Sequence, residues 1–410
     1  MFELNSPAST VLLLTNDRQI DRRILLTADS LDMSGWKTTI VAMPLDAPAS
    51  EDSRTQRIGS EQTIERREGI VVEGYRLLRR MLGTSRGPVR ALKRLAWQFL
   101  VNQESFFQRL FWPHIQHLQP DVVVANDLPM LPVAYKLASS CGARLVYDSH
   151  ELYCEQGFSP REKKTWAHIE RKYIQHCDAV ITVNASIAEE LRTRYALRKV
   201  HVIHNAERCS TTQTRTRYFH DRWSLPAESR ILLFQGGLSS GRNLEALARS
   251  MQYVSTANIV LVILGSGELT TPLQRLISGL KLQQRVFLHP AVPQHELLHL
   301  TAAADAGVIP YQANCLNNFY CTPNKLFEFI SAGLPILGSD LPEIRKIVTG
   351  NGIGLVGDLS EPKGIAKRID ELFSDPVRFR EFIDRVADAR KVICWEEEEK
   401  SLIAIYESLR

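Results

Sequence analysis

Thr322-Pro323-Asn324-Lys325-Leu326-Phe327-Glu328, running through Ala332-Gly333-Leu334-Pro335 into Ile336-Leu337-Gly338, reads as a helix, a turn and a buried strand. Thr322 is a good N-cap, and Pro323 is preorganised for the first helical position. Lys325 then falls in the first turn, where the helix dipole is positive and a cation is on the wrong end. An anionic ligand removes that conflict. Backbone N–H groups, a dipole and a lysine together make a phosphate seat. Glu328 lies three residues on, on the same face, where its carboxylate can accept from ribose hydroxyls. The same residues also suit a plain surface Lys–Glu pair, and the segment alone does not choose.

The helix–turn–strand unit is one beat of a longer rhythm. Upstream in the second half, strands are expected at residues 231–235, 259–264, 286–289 and 307–310, with a further one downstream at 354–356. Helical patterns at 244–251, 272–279, 294–304, 343–348, 362–373 and 376–389 fill the gaps, and a last helix follows Trp395. The first half has the same alternation. Its strands are expected at 10–15, 38–42, 70–75, 121–125, 144–147, 179–183 and 200–203, and its helices at 22–33, 133–140, 164–176 and 186–195. Strands alternating with helices predict parallel sheets wrapped on both faces. The polar stretch 206–225 reads as a linker, so residues 1–205 and 226–392 form two doubly wound, Rossmann-like α/β domains. Such a pair is expected to face across a cleft at the carboxyl ends of its strands, where ligands bind.

Bulk composition narrows the function. The 410 residues are 44% hydrophobic and 23% charged, as in an ordinary globular protein. No apolar run approaches the roughly 20 residues of a membrane span, and Val11-Leu12-Leu13-Leu14 is too short for a signal-peptide core. The seven cysteines are scattered without a CxxC pair, which predicts reduced thiols and a cytoplasmic protein. A net charge of +4 is too small to indicate nucleic acid. The basic charge is concentrated, however: Arg76, Arg79, Arg80, Arg86, Arg90, Lys93 and Arg94 occur with no acid among them, and Trp97, Phe99, Phe106, Phe107, Phe111 and Trp112 follow. That pattern suits peripheral contact with an anionic membrane, and equally a helix with a core stripe and solvated arginines.

Four further motifs carry chemistry. Gly236-Gly237-Leu238-Ser239-Ser240-Gly241-Arg242 joins a strand to a helix; its glycines allow close approach to a phosphate, and Arg242 can bind one bidentately. Gly265-Ser266-Gly267 ends the next strand. Asp148-Ser149-His150-Glu151 follows a first-half strand, and Asp127 ends the neighbouring one, so His150 and Asp127 are expected to converge. Asp127 also suits a helix N-cap ahead of Pro129. His295-Glu296-Leu297-Leu298-His299 matches the HExxH zinc-protease pattern, but it sits mid-rhythm in a short helix without an obvious third ligand. No Asp-x-Asp pair is present to hold a divalent ion on a diphosphate, so no metal and no tightly bound cofactor are expected.

In this order, the motifs resemble those of GT-B glycosyltransferases of family 4, the glycosyl transferases group 1, over nearly the whole chain. His204-Asn205, Ala303-Ala304-Asp305-Ala306-Gly307-Val308 and Ala332-Gly333-Leu334-Pro335 add to the likeness. The resemblance implies transfer of a sugar, with retention at its anomeric carbon, from a UDP- or GDP-linked donor. The expected acceptor is a hydroxyl of a glycan or lipid-linked acceptor, as in cell-surface polysaccharide synthesis, the polyprenyl-lipid carrier being suggested by the basic, aromatic segment after Arg76. The first domain takes the acceptor and the second the donor, and residues 393–410 cross back to the first domain. It also implies roles: Arg242 and Lys325 on the diphosphate, Glu328 on ribose, and His150, with Asp127, near the reacting sugar. Gly236, Gly237, Gly265, Gly267, Asn324 and Leu326 complete the donor-binding set. There are two departures. Tyr320 stands where the family's first glutamate falls, with Asn317 or Asn318 as substitutes for its sugar contact, and Gly237 stands where an arginine is common. A nucleotide-sugar 2-epimerase on the same fold, a zinc metallopeptidase through His295, Glu296 and His299, and a non-catalytic binding protein remain as alternatives.

Overall fold

The computed structural model describes residues 9–44, 52–59, 102–209 and 215–410. The basic residues 76–94 and the strand expected at 70–75 lie outside them. The chain divides into two compact units. One holds the described residues through Val183, with Ile187–Ile203 and Glu399–Arg410; the other holds Asn184–Ser186 and His204–Glu398.

Among the described residues the first unit has a seven-stranded sheet. Its strands are β1 (Thr10–Leu14), β2 (Lys37–Ala42), β3 (Thr55–Arg57), β4 (Val122–Asn126), β5 (Arg144–Ser149), β6 (Ala179–Thr182) and β7 (His201–Val202). They lie in the order β3-β2-β1-β4-β5-β6-β7, and every pairing is parallel. Helices α1 (Arg22–Met33), α2 (Gln103–Ile115), α3 (Leu131–Cys141), α4 (Pro160–Ile174) and α5 (Ala185–Tyr195) connect them. The starts of these helices follow local chemistry. Asp21 accepts from the Arg23 N–H to cap α1, and Ser159 with Glu162 forms a reciprocal capping box ahead of α4. Val122, Val123, Val124 and Ala125 are all buried, as a strand covered on both faces requires. Phe107 and Phe111 of α2 are buried too, so this part of the aromatic run serves the core.

The second unit repeats the plan with β8 (Arg230–Gln235), β9 (Ile259–Leu264), β10 (Val286–His289), β11 (Ala306–Ile309), β12 (Ile336–Ser339) and β13 (Gly354–Gly357), ordered β10-β9-β8-β11-β12-β13. Its helices are α6 (Tyr218–Trp223), α7 (Leu244–Ser250), α8 (Thr270–Gly279), α9 (Gln294–Thr301), α10 (Leu316–Phe319), α11 (Asn324–Ser331), α12 (Pro342–Gly350), α13 (Pro362–Phe373), α14 (Pro376–Ala389) and α15 (Trp395–Glu407). Helix α6 falls inside the stretch read as a linker, and its Phe219 is fully buried in the second unit's core. From Glu399 onward α15 packs on the first unit. Ser30 Oγ donates to Glu399 at 2.8 Å, Tyr406 meets the Trp36 ring edge-on at 6.1 Å, and the Arg410 guanidinium lies 4.6 Å from the same ring.

Both sheets reverse their winding at the first strand. The reversal falls between β1 and β4 in one sheet and between β8 and β11 in the other. In open parallel sheets, ligands bind at the carboxyl ends of the strands at such a reversal. Asp127 follows β4 directly, and the Gly236–Arg242 loop follows β8, so both candidate clusters occupy the place the topology favours. Among the described residues no helix is long and apolar enough to cross a membrane.

Candidate functional site

In the second unit, α11 begins at Asn324 with Pro323 at the cap, one residue later than the Thr322 cap expected from sequence. The reason is local. The Thr322 hydroxyl accepts from Asn184 Nδ2 at 3.1 Å, so it is turned away from the helix. No side chain caps α11. Its apolar residues Leu326, Phe327, Phe329 and Ile330 are fully buried and anchor the helix start against the sheet. Leu326 therefore belongs to the core, and its N–H donates to the Pro323 carbonyl at 2.8 Å. Asn324 Oδ1 accepts from Asn205 Nδ2 at 2.9 Å, which ties the His204-Asn205 motif to the helix start.

Lys325 is buried, not a surface lysine. Its Nζ donates to the Tyr311 hydroxyl at 2.8 Å and lies 4.2 Å from the centre of the Phe234 ring. Burial pushes its amine well below the ordinary lysine value, the neighbouring Arg242 adds to the shift, and Glu328 opposes it. The Arg242 guanidinium lies 4.2 Å from the Tyr311 ring centre, so one tyrosine contacts both basic side chains. Glu328 is also buried, and its carboxylate accepts from Gln235 Nε2 at 2.5 Å. Gln235 Oε1 in turn accepts from the Thr301 hydroxyl at 2.9 Å, which fixes the amide. The result gathers two basic side chains, an uncapped helix start and a carboxylate one turn further along.

The glycines of the two loops divide into distinct roles. A Cβ on Gly265 would lie 1.9 Å from the Gly236 carbonyl oxygen, and one on Gly267 would lie 2.3 Å from that of Leu238. Gly265 and Gly267 thus allow the turn after β9 to interlock with the loop after β8. Gly236 has φ +117°, and a Cβ there would come within 3.3 Å of Lys325 Nζ. Gly237 has open space around it. Next to this loop, Asn314 and Asn318 are hydrogen-bonded to each other at 2.7 Å, with the Asn314 amide against Gly241. Tyr320 ends α10, and its carbonyl accepts from Asn184 Nδ2 at 2.8 Å.

In the first unit, strand register brings the predicted pair together. Asn126 pairs with Asp148, so Asp127 lies beside His150. Asp127 occupies the cap position of the turn that follows it, but its side chain makes no capping bond; its Oδ1 accepts from the His150 N–H at 3.0 Å. Its backbone has φ 65° and ψ 162°, a region that is essentially glycine's. Holding it there costs about 1–3 kcal/mol, a cost characteristic of functional positions. The His150 ring sits between two carboxylates, Nδ1 at 3.6 Å from Asp127 and Nε2 at 3.5 Å from Asp148. Burial alone would lower the ring's pKa, but the two carboxylates outweigh it and bring the ring to about 9. Burial also holds Asp127 above the usual carboxylate range, with His150 pulling it partly back. Asp148 is equally buried, yet the charge of Arg23 and then of His150 carries it well below that range.

Sequence reading missed Arg23. Its guanidinium binds Asp148 through two 3.0 Å hydrogen bonds, and a third nitrogen donates to the Ile203 carbonyl at 2.6 Å. A signal was present, since Arg23, Thr27 and Ser30 fall on the buried face of α1 at helical spacing. Gln235, which ends β8, and Tyr311, two residues beyond β11, were missed as well, although both lie at the topological reversal. The HExxH residues are placed differently. His295 and Glu296 are exposed at 80% and 51%, and among the described residues no group of three or more His, Cys, Asp or Glu could share a metal ion. The zinc-protease alternative therefore has no site among them.

Two doubly wound parallel-sheet units, with Arg242, Lys325 and the start of α11 gathered at the reversal of the second, define an α/β protein of the GT-B class. Residues 20–206 match the family described as glycosyl transferase 4-like domain, and residues 217–389 match glycosyl transferases group 1. The chain belongs to the group 1 glycosyltransferase family. A D-inositol 3-phosphate glycosyltransferase of Xylanimonas cellulosilytica is 22% identical over 58% of this chain and 58% of its own length, so the match spans little more than half of that relative. An uncharacterized glycosyltransferase of Methanocaldococcus jannaschii is 26% identical over 70% of this chain and 75% of its own. Among solved structures, sucrose-phosphate synthase from Thermosynechococcus elongatus has the same fold with a TM-score of 0.74 at 17% identity, over 98% of this chain and 99% of that one. The Anabaena protein HepE, in complex with UDP-glucose, has a TM-score of 0.69 at 13% identity, over 97% of this chain and 99% of that one.

Proposed function

We propose that the protein is a retaining glycosyltransferase that moves a sugar from a UDP- or GDP-linked donor to a hydroxyl of a glycan or polyprenyl-lipid-linked acceptor, in the synthesis of a cell-surface glycan. One observation carries the donor assignment: Arg242 and Lys325 meet on Tyr311 beside an uncapped helix start, with Glu328 one turn away. Such a seat suits a diphosphate flanked by a ribose. The nucleotide complexes of HepE support the same assignment.

The chemistry follows from charge. Cleavage of the sugar–phosphate bond leaves negative charge on the diphosphate. Arg242, Lys325 and the α11 dipole stabilise that charge as it develops, without a metal ion. The acceptor oxygen attacks on the face the diphosphate leaves, and the departing phosphate oxygen takes its proton. The first unit serves the acceptor side. There His150, charged at neutral pH and held by Asp127 and Asp148, offers a donor to sugar oxygens. The reaction is assigned to the cytoplasm, with residues 76–94 as a peripheral contact to anionic lipid.

Thermal-shift titration with UDP, GDP and their sugar derivatives tests the donor assignment. A donor at about 100 times its Kd is expected to stabilise the protein by about 2.7 kcal/mol. Transfer in the presence of a chelator, with the anomeric configuration of the product read by NMR, tests metal independence and retention. Sugar conversion without any acceptor would indicate the epimerase instead. No stabilisation by any nucleotide diphosphate would sink the assignment.

A further inference from the structure

Tyr311 has no part in the sequence motifs, yet it contacts both basic side chains of the seat. It lies two residues beyond β11, across the reversal from β8, and is 4% exposed. Its hydroxyl accepts from Lys325 Nζ at 2.8 Å, and its ring centre lies 4.2 Å from the Arg242 guanidinium carbon. We infer that Tyr311 is a positioning residue of the donor seat, its hydroxyl fixing Lys325 and its ring fixing Arg242 so that the two basic side chains are held together before the diphosphate arrives. The inference rests on the diphosphate assignment above.

A phenol suits this task better than its alternatives. A guanidinium beside a buried amine disfavours the amine's charged form, and something must offset that before the diphosphate arrives. A carboxylate would do so, but it would also neutralise the charge the diphosphate must find. A phenylalanine would offer its ring to Arg242 and leave the buried amine without an acceptor. A tyrosine supplies a neutral acceptor and a negative ring face at once. The second ring, Phe234, lies 4.2 Å from the same amine.

A proton is linked to this arrangement. The groups facing Lys325 are Arg242 from the loop after β8, Tyr311 from the loop after β11, Cys321 from the segment before α11, and Glu328 on α11 itself. Burial and Arg242 disfavour the charged amine; a bound diphosphate favours it. Diphosphate binding therefore takes up a proton, and affinity falls as pH rises above the depressed value of the free protein. The Tyr311 hydroxyl accepts from the amine and so favours its charged form. Without that hydroxyl, the fall in affinity begins at lower pH.

Calorimetric titration of UDP and GDP into the full chain tests this, with wild type, Lys325→Ala, Tyr311→Phe and Tyr311→Leu compared from pH about 6 to about 9. Two buffers of different ionisation heat report the proton uptake, and circular dichroism checks that each variant is folded. Tyr311→Phe keeps the ring and most of the packing. It is expected to bind about tenfold more weakly, as for loss of a hydrogen bond to a charged group, with its pH profile displaced downward. Tyr311→Leu is expected to lose roughly a further threefold through the ring contact. Wild-type affinity and an unshifted pH profile in Tyr311→Phe, together with lost binding in Lys325→Ala, would overturn the role of Tyr311 and leave the seat intact. Wild-type affinity in Lys325→Ala would overturn the seat, and the Tyr311 assignment with it.

Discussion

At the scale of single residues, His150 is a group whose charge the fold controls through two named carboxylates. It is brought to about 9, against about 6.5 for an unperturbed histidine, by the carboxylates of Asp127 and Asp148. A raised group contributes stability that is complete below its unfolded value and is lost as pH rises through its folded one. His150 therefore stabilises the first unit fully below pH about 6.5 and ceases to do so near about 9. Asp127, also raised, acts in the same direction over a lower range. Asp148 is lowered, so its contribution is present at neutral pH and is lost on acidification. Asp127→Asn removes one of the two carboxylates beside the ring. The His150 midpoint is expected to fall by about one unit or more, and the decline of stability on the alkaline side to flatten. Histidine-labelled NMR titration reads the first and denaturation across the pH range the second. A midpoint still near 9 would mean that Asp148 and its surroundings hold the proton without Asp127.

At the scale of elements, the seat depends on two turns that interlock by backbone contact. Gly265→Ala would drive a methyl group to 1.9 Å from the Gly236 carbonyl oxygen, at a residue with φ +149°. A loss of at least about 2 kcal/mol is expected, with weakened nucleotide binding, because the Gly236–Arg242 loop must shift. Gly237→Ala, with open space around it, is expected to stay within about 0.5 kcal/mol of wild type. Equal melting temperatures for the two variants would show that the turns do not depend on each other. The same elements explain what sequence could reveal. β9 was legible residue for residue because all six of its side chains are apolar and buried on both faces of the sheet. β3 was not, since Thr55, Gln56 and Arg57 form a short polar edge strand that exists through its pairing with β2. Lys325, Glu328, Arg242, His150 and Asp127 stand out because polar residues at strand ends and helix starts interrupt an apolar rhythm. Arg23 finds Asp148 125 positions away, and that pairing has no local signature. Tyr311 reads as one more aromatic after a strand until its neighbours in space are known.

At the scale of the whole molecule, the chain builds two cores and ends by returning to the first. Tyr406, 1% exposed, packs edge-on to Trp36 and feels the charge of Asp148 first and then of Arg23. The last residues thus pack on the unit that holds His150, although almost the whole second unit separates them in sequence. Their removal should therefore be felt by the first unit. Tyr406→Ala is expected to cost about 3–5 kcal/mol, as for other fully buried aromatics. The loss should fall unevenly. Amides of β1, β4 and β5 should lose hydrogen-exchange protection, while those of β8 and β9 keep theirs, because each sheet has its own buried core. The His150 resonances should shift in the same variant, since Tyr406 lies near the Asp148 that holds the ring. Equal loss of protection in both sheets would mean that the two cores unfold as a single cooperative unit. Unchanged protection in the first sheet would mean that the final helix turn adds little to its stability.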